Sequence, residues 1–163
     1  MIFGMSAFIS VHVLISLIGI LSGAAVLLGI LGGKRLDGWT VVFLSSTVLT
    51  SATGYLLPAH KIMPSHVIGA ISLVILAIAI VARSSKHLAG AWRRIYVVTA
   101  MIAFYLNVFV LVFQLFTKVP ALKAAAPTQS EPPFLIAQLT LLIAFIVLTV
   151  LAAKRFRAEP AGA

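Results

Sequence analysis

Apolar residues along this chain gather into five long runs separated by short polar loops, at Ser6 to Leu31, Trp39 to Leu57, Ser65 to Ala82, Ile95 to Thr117 and Phe134 to Ala153. None of the five contains Asp, Glu, Lys or Arg. A helix rises about 1.5 Å per residue, so about 20 residues carry it through a hydrocarbon layer about 30 Å thick. The runs are continuous and about twice too long for barrel strands, which would also alternate apolar with polar positions. The pattern predicts an all-α fold, a single-domain bundle of five transmembrane helices across residues 1–163.

The loops assign an orientation. Lys34 and Arg35 follow the first run, Arg83, Lys86, Arg93 and Arg94 lie between the third and fourth, and Lys154, Arg155 and Arg157 follow the fifth. An odd number of crossings puts these nine on one side, against only Lys61, Lys118 and Lys123 on the other. Basic residues favour the cytoplasmic side, which predicts the N-terminus outside and the C-terminus cytoplasmic. Met1 to Phe8 has no basic segment before the first run, and that run is too long for a cleaved export signal, so the first helix is expected to remain.

Composition agrees with a lipid environment. With 62% hydrophobic and 9% charged residues, the chain has too little polar surface to coat a water-soluble globule. The formal charge of +9 would ordinarily raise nucleic-acid binding, but it is dispersed into juxtamembrane loops with no folded basic groove, so no nucleic-acid partner is expected. Attraction to anionic lipid headgroups is the ordinary consequence. The absence of cysteine excludes disulfides, thiolate metal sites, iron–sulfur clusters and covalent haem attachment.

Small and polar residues mark the faces turned toward protein. His12, Ser16, Gly19 and Gly23 share one face of the first helix, and the Gly19/Gly23 pair suits close approach by another helix, from a membrane partner or a second copy. Ser46, Thr50 and Gly54 form a similar stripe in the second helix. Tyr96, Ala100, Ala103, Asn107, Val110 and Gln114 form a packed seam in the fourth. Asn107 stands near mid-helix, where an unsatisfied amide would be expensive, so it requires a partner. Four prolines between Lys118 and Pro133 predict an extended, stiff outer loop.

The histidines carry the candidate chemistry. The predicted topology brings His12, His60 and His66 to the outer level, together with Tyr55, Gln114, Gln138 and Glu131. An intramembrane imidazole such as His12 is costly and by default marks a function. A pocket for a small ligand or cofactor around His12, His66, Ser16, Thr50, Tyr55, Asn107, Gln114, Gln138 and Glu131 is therefore expected. One specific form is b-type haem held by His12 and His66, or quinone electron transfer, although His66 would sit about 6 Å nearer the surface than His12. His60, Met63 and His66 form a weaker candidate for Cu(I), since thioether and imidazole are suitable ligands. A passive path for a small solute or proton, lined by Ser46, Thr50, Asn107, Gln114 and Gln138, is an alternative, as is a structural or assembly subunit. No motif of high specificity assigns an enzymatic reaction.

The segments Gly90-Ala-Trp-Arg-Arg-Ile-Tyr96, Tyr105-Leu-Asn-Val-Phe109 and Ala126-Pro-Thr-Gln-Ser-Glu-Pro-Pro-Phe134 resemble small multi-pass inner-membrane proteins of bacteria whose function is uncharacterised. That resemblance spans nearly the whole chain. It implies a bacterial inner-membrane location and brings no activity, cofactor or site residue with it.

Overall fold

The computed structural model describes residues 7–57 and 61–156, and these form helices and connecting turns with no strand. The helices are α1 (Ala7–Leu31), α2 (Asp37–Gly54), α3 (Pro64–Ile80), α4 (Trp92–Lys118), the short α5 (Pro120–Ala125) and α6 (Pro132–Arg155). A π-helical turn, Val81–Ser85, continues α3. Prolines open α3, α5 and α6, where the missing N–H would have had no partner inside the helix, and Pro127 lies in the turn between α5 and α6. At the end of α1, Gly33 takes φ +71°, Lys34 N–H donates to the Gly29 carbonyl at 2.8 Å and Gly33 N–H to that of Ile30 at 3.0 Å. This double bond pattern stops the helix and satisfies carbonyls that would otherwise be orphaned.

Four helical stretches are long and apolar enough to cross a membrane: Ala7–Leu31, Pro64–Ser85, Trp92–Lys118 and Pro132–Arg155. The remaining predicted run, 39–57, is helical as α2 but falls short on apolarity, because Thr40, Ser45, Ser46, Thr47, Thr50, Ser51 and Thr53 dilute it. Its placement explains that composition. α2 packs most extensively on α1 and also touches α3 and α4, and it buries Thr40, Ser46, Thr47 and Ser51 beside Phe43 and Leu44. Trp39, Val41, Val42 and Leu49 face outward. Hydroxyls inside and aliphatics outside is the reverse of a water-soluble helix. The hydroxyls are also largely satisfied locally, as Thr40, Ser46, Thr50 and Thr53 donate to carbonyls one turn back.

The rest of the bundle has the same inverted surface. Leu14, Leu21 and Leu28 of α1, Val67, Ile71 and Val74 of α3, and Ile136, Leu139, Ile143 and Val147 of α6 are all exposed, as stripes rather than scattered residues. The interior is closed by aromatic edge contacts. Phe104 meets Phe43 at 6.0 Å and Phe145 at 5.2 Å between ring centroids.

Two expectations need correction. The face carrying Gly19 and Gly23 is not available to a second copy, because both glycines are buried against α2 and α4 of their own chain. Gly19 faces Ser46, Thr47 and Asn107, and Gly23 faces Phe43 and Phe104. The segment from Lys118 to Pro133 is not uniformly extended either. Pro120 opens α5, and Ala126 is fully buried near Phe116 and Phe134.

The ends of α1, the π turn and α6 meet at one end of the bundle. Asp37 accepts from Arg35 at 2.7 Å and from Arg83, Arg93 donates to the Phe156 carbonyl, and Arg155 donates to that of Leu31 at 3.2 Å. Partial burial opposes ionisation of Asp37, but the Arg35 and Arg83 guanidiniums outweigh it and hold the carboxyl below its ordinary range. Arg83 also lies 5.6 Å from the centre of the buried Tyr96 ring.

Candidate functional site

At the opposite end, where α1 and α3 begin and α2 and α4 finish, the four helices diverge around a cavity of about 360 Å³. Its wall is mostly aliphatic, with Val13, Leu17, Ile68, Leu106 and Leu111 among the lining residues. The polar residues on it are His12 and Ser16 from α1, Thr50 and Ser51 from α2, Ser72 from α3, and Asn107, Gln114 and Lys118 from α4.

Hydrogen bonds assign donors and acceptors within this set. The Thr53 hydroxyl has one proton and directs it to the Leu49 carbonyl at 2.6 Å. Toward His12 Nδ1, 2.8 Å away, it can therefore only accept. Neutral His12 thus carries its proton on Nδ1 and keeps Nε2 as an acceptor. Ser16 and Thr50 donate to the carbonyls of His12 and Ser46, both at 2.8 Å, and leave oxygen lone pairs for a ligand. Asn107 Nδ2 donates to Thr47 Oγ1 at 3.2 Å, the partner that its depth requires.

Donors are also present. Ser72 is 3% exposed, yet its hydroxyl has no hydrogen-bond partner among the described residues. Ser72 was not anticipated from the sequence; the signal was the three-residue step from Gly69, which puts both on one face of α3. The Gln114 side chain makes no hydrogen bond with the described residues, and Lys118 brings an ammonium group to the end of the bundle. No Asp or Glu is among the lining residues.

Five of the anticipated pocket residues line this cavity: His12, Ser16, Thr50, Asn107 and Gln114. His66, Tyr55, Gln138 and Glu131 do not. His66 caps α3, its N–H donating to the Met63 carbonyl while its Nδ1 accepts the Met63 N–H, both at 2.9 Å. Tyr55 donates its hydroxyl to the His66 carbonyl at 2.6 Å, fastening the end of α2 to the start of α3. Gln138 lies between α6 and α4, with Nε2 donating to the Phe109 carbonyl at 3.2 Å and a buried Oε1 that has no partner among the described residues. Glu131 closes the turn before α6 by accepting from Thr128 and Ser130; its desolvation is outweighed by these bonds, which lower its pKa.

The cap on α3 bears on the haem and copper candidates. Because Nδ1 of His66 accepts, the neutral ring is protonated on Nε2, whereas a metal bound through Nε2 needs that nitrogen bare and the proton on Nδ1. Ligation by His66 through Nε2 would break the cap. His60 lies outside the described residues. Among those residues, no group of three or more His, Asp or Glu is placed to hold a metal ion.

No protein-family model, curated protein or solved structure matches the chain.

Proposed function

We propose that this is a bacterial inner-membrane protein that binds one small, largely apolar molecule with a hydrogen-bonding head in the cavity between α1, α2, α3 and α4. The observation that carries this reading is an aliphatic wall with an orphaned Ser72 hydroxyl, a free Gln114 amide and the His12 Nε2 acceptor on the same cavity. Its volume falls within the range of small-molecule sites, about 300–1,000 Å³. A ligand carrying carbonyl groups would satisfy Ser72, Gln114 and Lys118, and an isoprenoid quinone headgroup has that chemistry.

A binding cavity is favoured over a passive path because the lining residues stop at the level of Ile20 and Leu106. Beyond them the buried Phe43, Phe104 and Phe145 rings fill the interior. The five-crossing topology, N-terminus outside, belongs to the same proposal. The number of crossings is supported by the contact of Asp37, at the start of α2, with Arg83, beyond the end of α3, and the orientation by the basic residues gathered at that end. For both to lie at one end while α3 spans the bilayer, α2 must make the opposite passage. Its 18 residues reach about 27 Å.

The test uses the protein purified in mild detergent, with decyl-ubiquinone as probe and native mass spectrometry as readout. The wild type is expected to retain one molecule, and Leu111→Trp, which fills the cavity, to retain none while unfolding at an unchanged temperature. Equal retention by both proteins would refute the cavity as the site. Retention by neither would exclude quinones as the class.

A further inference from the structure

A second recess lies at the other end of the molecule, between the start of α4 and the end of α6, with a volume of about 490 Å³. It is lined by Arg93, Arg94 and Lys154 at its polar edge and by Val98, Val150 and Ala153 along its apolar wall, with Thr149 between them. Most other cations at this end have acceptors within the chain. Arg35 and Arg83 hold Asp37, Arg93 holds the Phe156 carbonyl, and Arg155 holds that of Leu31. Arg94 and Lys154 have no acidic or carbonyl partner among the described residues, and both line the recess.

The helix that supplies two of these cations sharpens the imbalance. α4 begins with Trp92-Arg93-Arg94, has no acid in its first turn, and its N-cap, Ala91, offers no side-chain acceptor. Positive side chains there add to the positive end of the helix dipole instead of compensating it. An anion beside Arg94 would relieve both. The neighbouring wall is aliphatic and exposed, with Val98 38% and Val150 48% accessible. A group that is anionic at one end and hydrocarbon at the other fits that layout.

We infer that this recess is a binding site for an anionic phospholipid, with its phosphodiester held by Arg93, Arg94 and Lys154 and an acyl chain laid along Val98 and Val150. Basic pockets between transmembrane helices recognise anionic headgroups in this way. The inference does not depend on what occupies the cavity at the other end.

The experiment compares the protein in nanodiscs of phosphatidylcholine with and without phosphatidylglycerol, counting lipids retained by native mass spectrometry. The wild type is expected to retain phosphatidylglycerol in preference to phosphatidylcholine. Arg94→Gln and Lys154→Gln should each lower that preference about fivefold, and the double variant about 30-fold. Lys34→Gln removes one charge at the same end but outside the recess, and should leave the preference unchanged. Inorganic phosphate added to the detergent-solubilised protein should not displace the lipid. Equal losses with Lys34→Gln would mean diffuse attraction and overturn the site, as would displacement by phosphate or an absence of headgroup preference. Thermal unfolding of each variant near the wild-type temperature keeps loss of binding distinct from loss of fold.

Discussion

The close approach of α1 to α2 and α4 depends on Gly23, and Gly23→Ala measures how tightly that junction is closed. A Cβ there would stand 2.9 Å and 3.0 Å from Cδ2 and Cε2 of Phe104, and 3.1 Å from Cδ2 of Phe43. Neither ring can retreat freely. Both are buried, they contact each other edge to face, and Phe104 is backed by Phe145 at 5.2 Å. Forcing one methyl group into such a core costs about 1–3 kcal/mol. Alanine ordinarily recovers about 1 kcal/mol over glycine in helix propensity. In a bilayer the separated helix stays helical, so that gain is largely absent and the net loss should remain about 1–3 kcal/mol. Gly38, in the first turn of α2, is the control: a Cβ there meets nothing within 4 Å, and Gly38→Ala should stay within about 0.5 kcal/mol of wild type. Reversible unfolding in bicelles by steric trapping gives both values. A Gly23→Ala protein as stable as wild type, or a Gly38→Ala protein equally damaged, would refute the packing argument.

Two further outcomes follow from the ends of the bundle. Asp37→Asn should destabilise the protein by less than about 1 kcal/mol at neutral pH, since the Asp37 side chain is half exposed and the pairs are screened, and the deficit should shrink in high salt. Because the folded carboxyl titrates below its ordinary value of about 3.9, the difference from wild type should be complete above that pH. It should fade as the pH falls through the lower, folded value, and a gap that widens in acid would refute the assignment. Reporter fusions active on only one side of the membrane should place the N-terminus outside and the C-terminus in the cytoplasm. Signals from the same compartment for both would remove α2 as a crossing.

Four of the five predicted runs form helices long and apolar enough to cross a membrane, and these were legible because length and polarity can both be read along the chain. That is why the predicted runs differ from the observed helices mainly at their ends, as in Ile95 to Thr117 against Trp92–Lys118. Periodicity also identified the protein-facing side of α1 and the buried Tyr96, Ala100 and Ala103 of α4, since residues three and four apart share a face whatever they meet, whereas Asn107, Val110 and Gln114, expected to continue that packed seam, line the cavity. It could not say what that face meets. Gly19 and Gly23 advertise a close contact, and only the fold shows that α2 and α4 of the same chain occupy it.

The site divides along the same line. His12, Ser16, Thr50, Asn107 and Gln114 could be nominated from the sequence because polar groups in an apolar run are costly and conspicuous. Their grouping on one cavity, the exclusion of His66 by a cap three residues long, and the orphaned hydroxyl of Ser72 depend on distances between helices. Hydropathy and spacing along one chain constrain each helix separately. Which side chains meet across helices, and which are left without a partner, is decided only when all of them pack together.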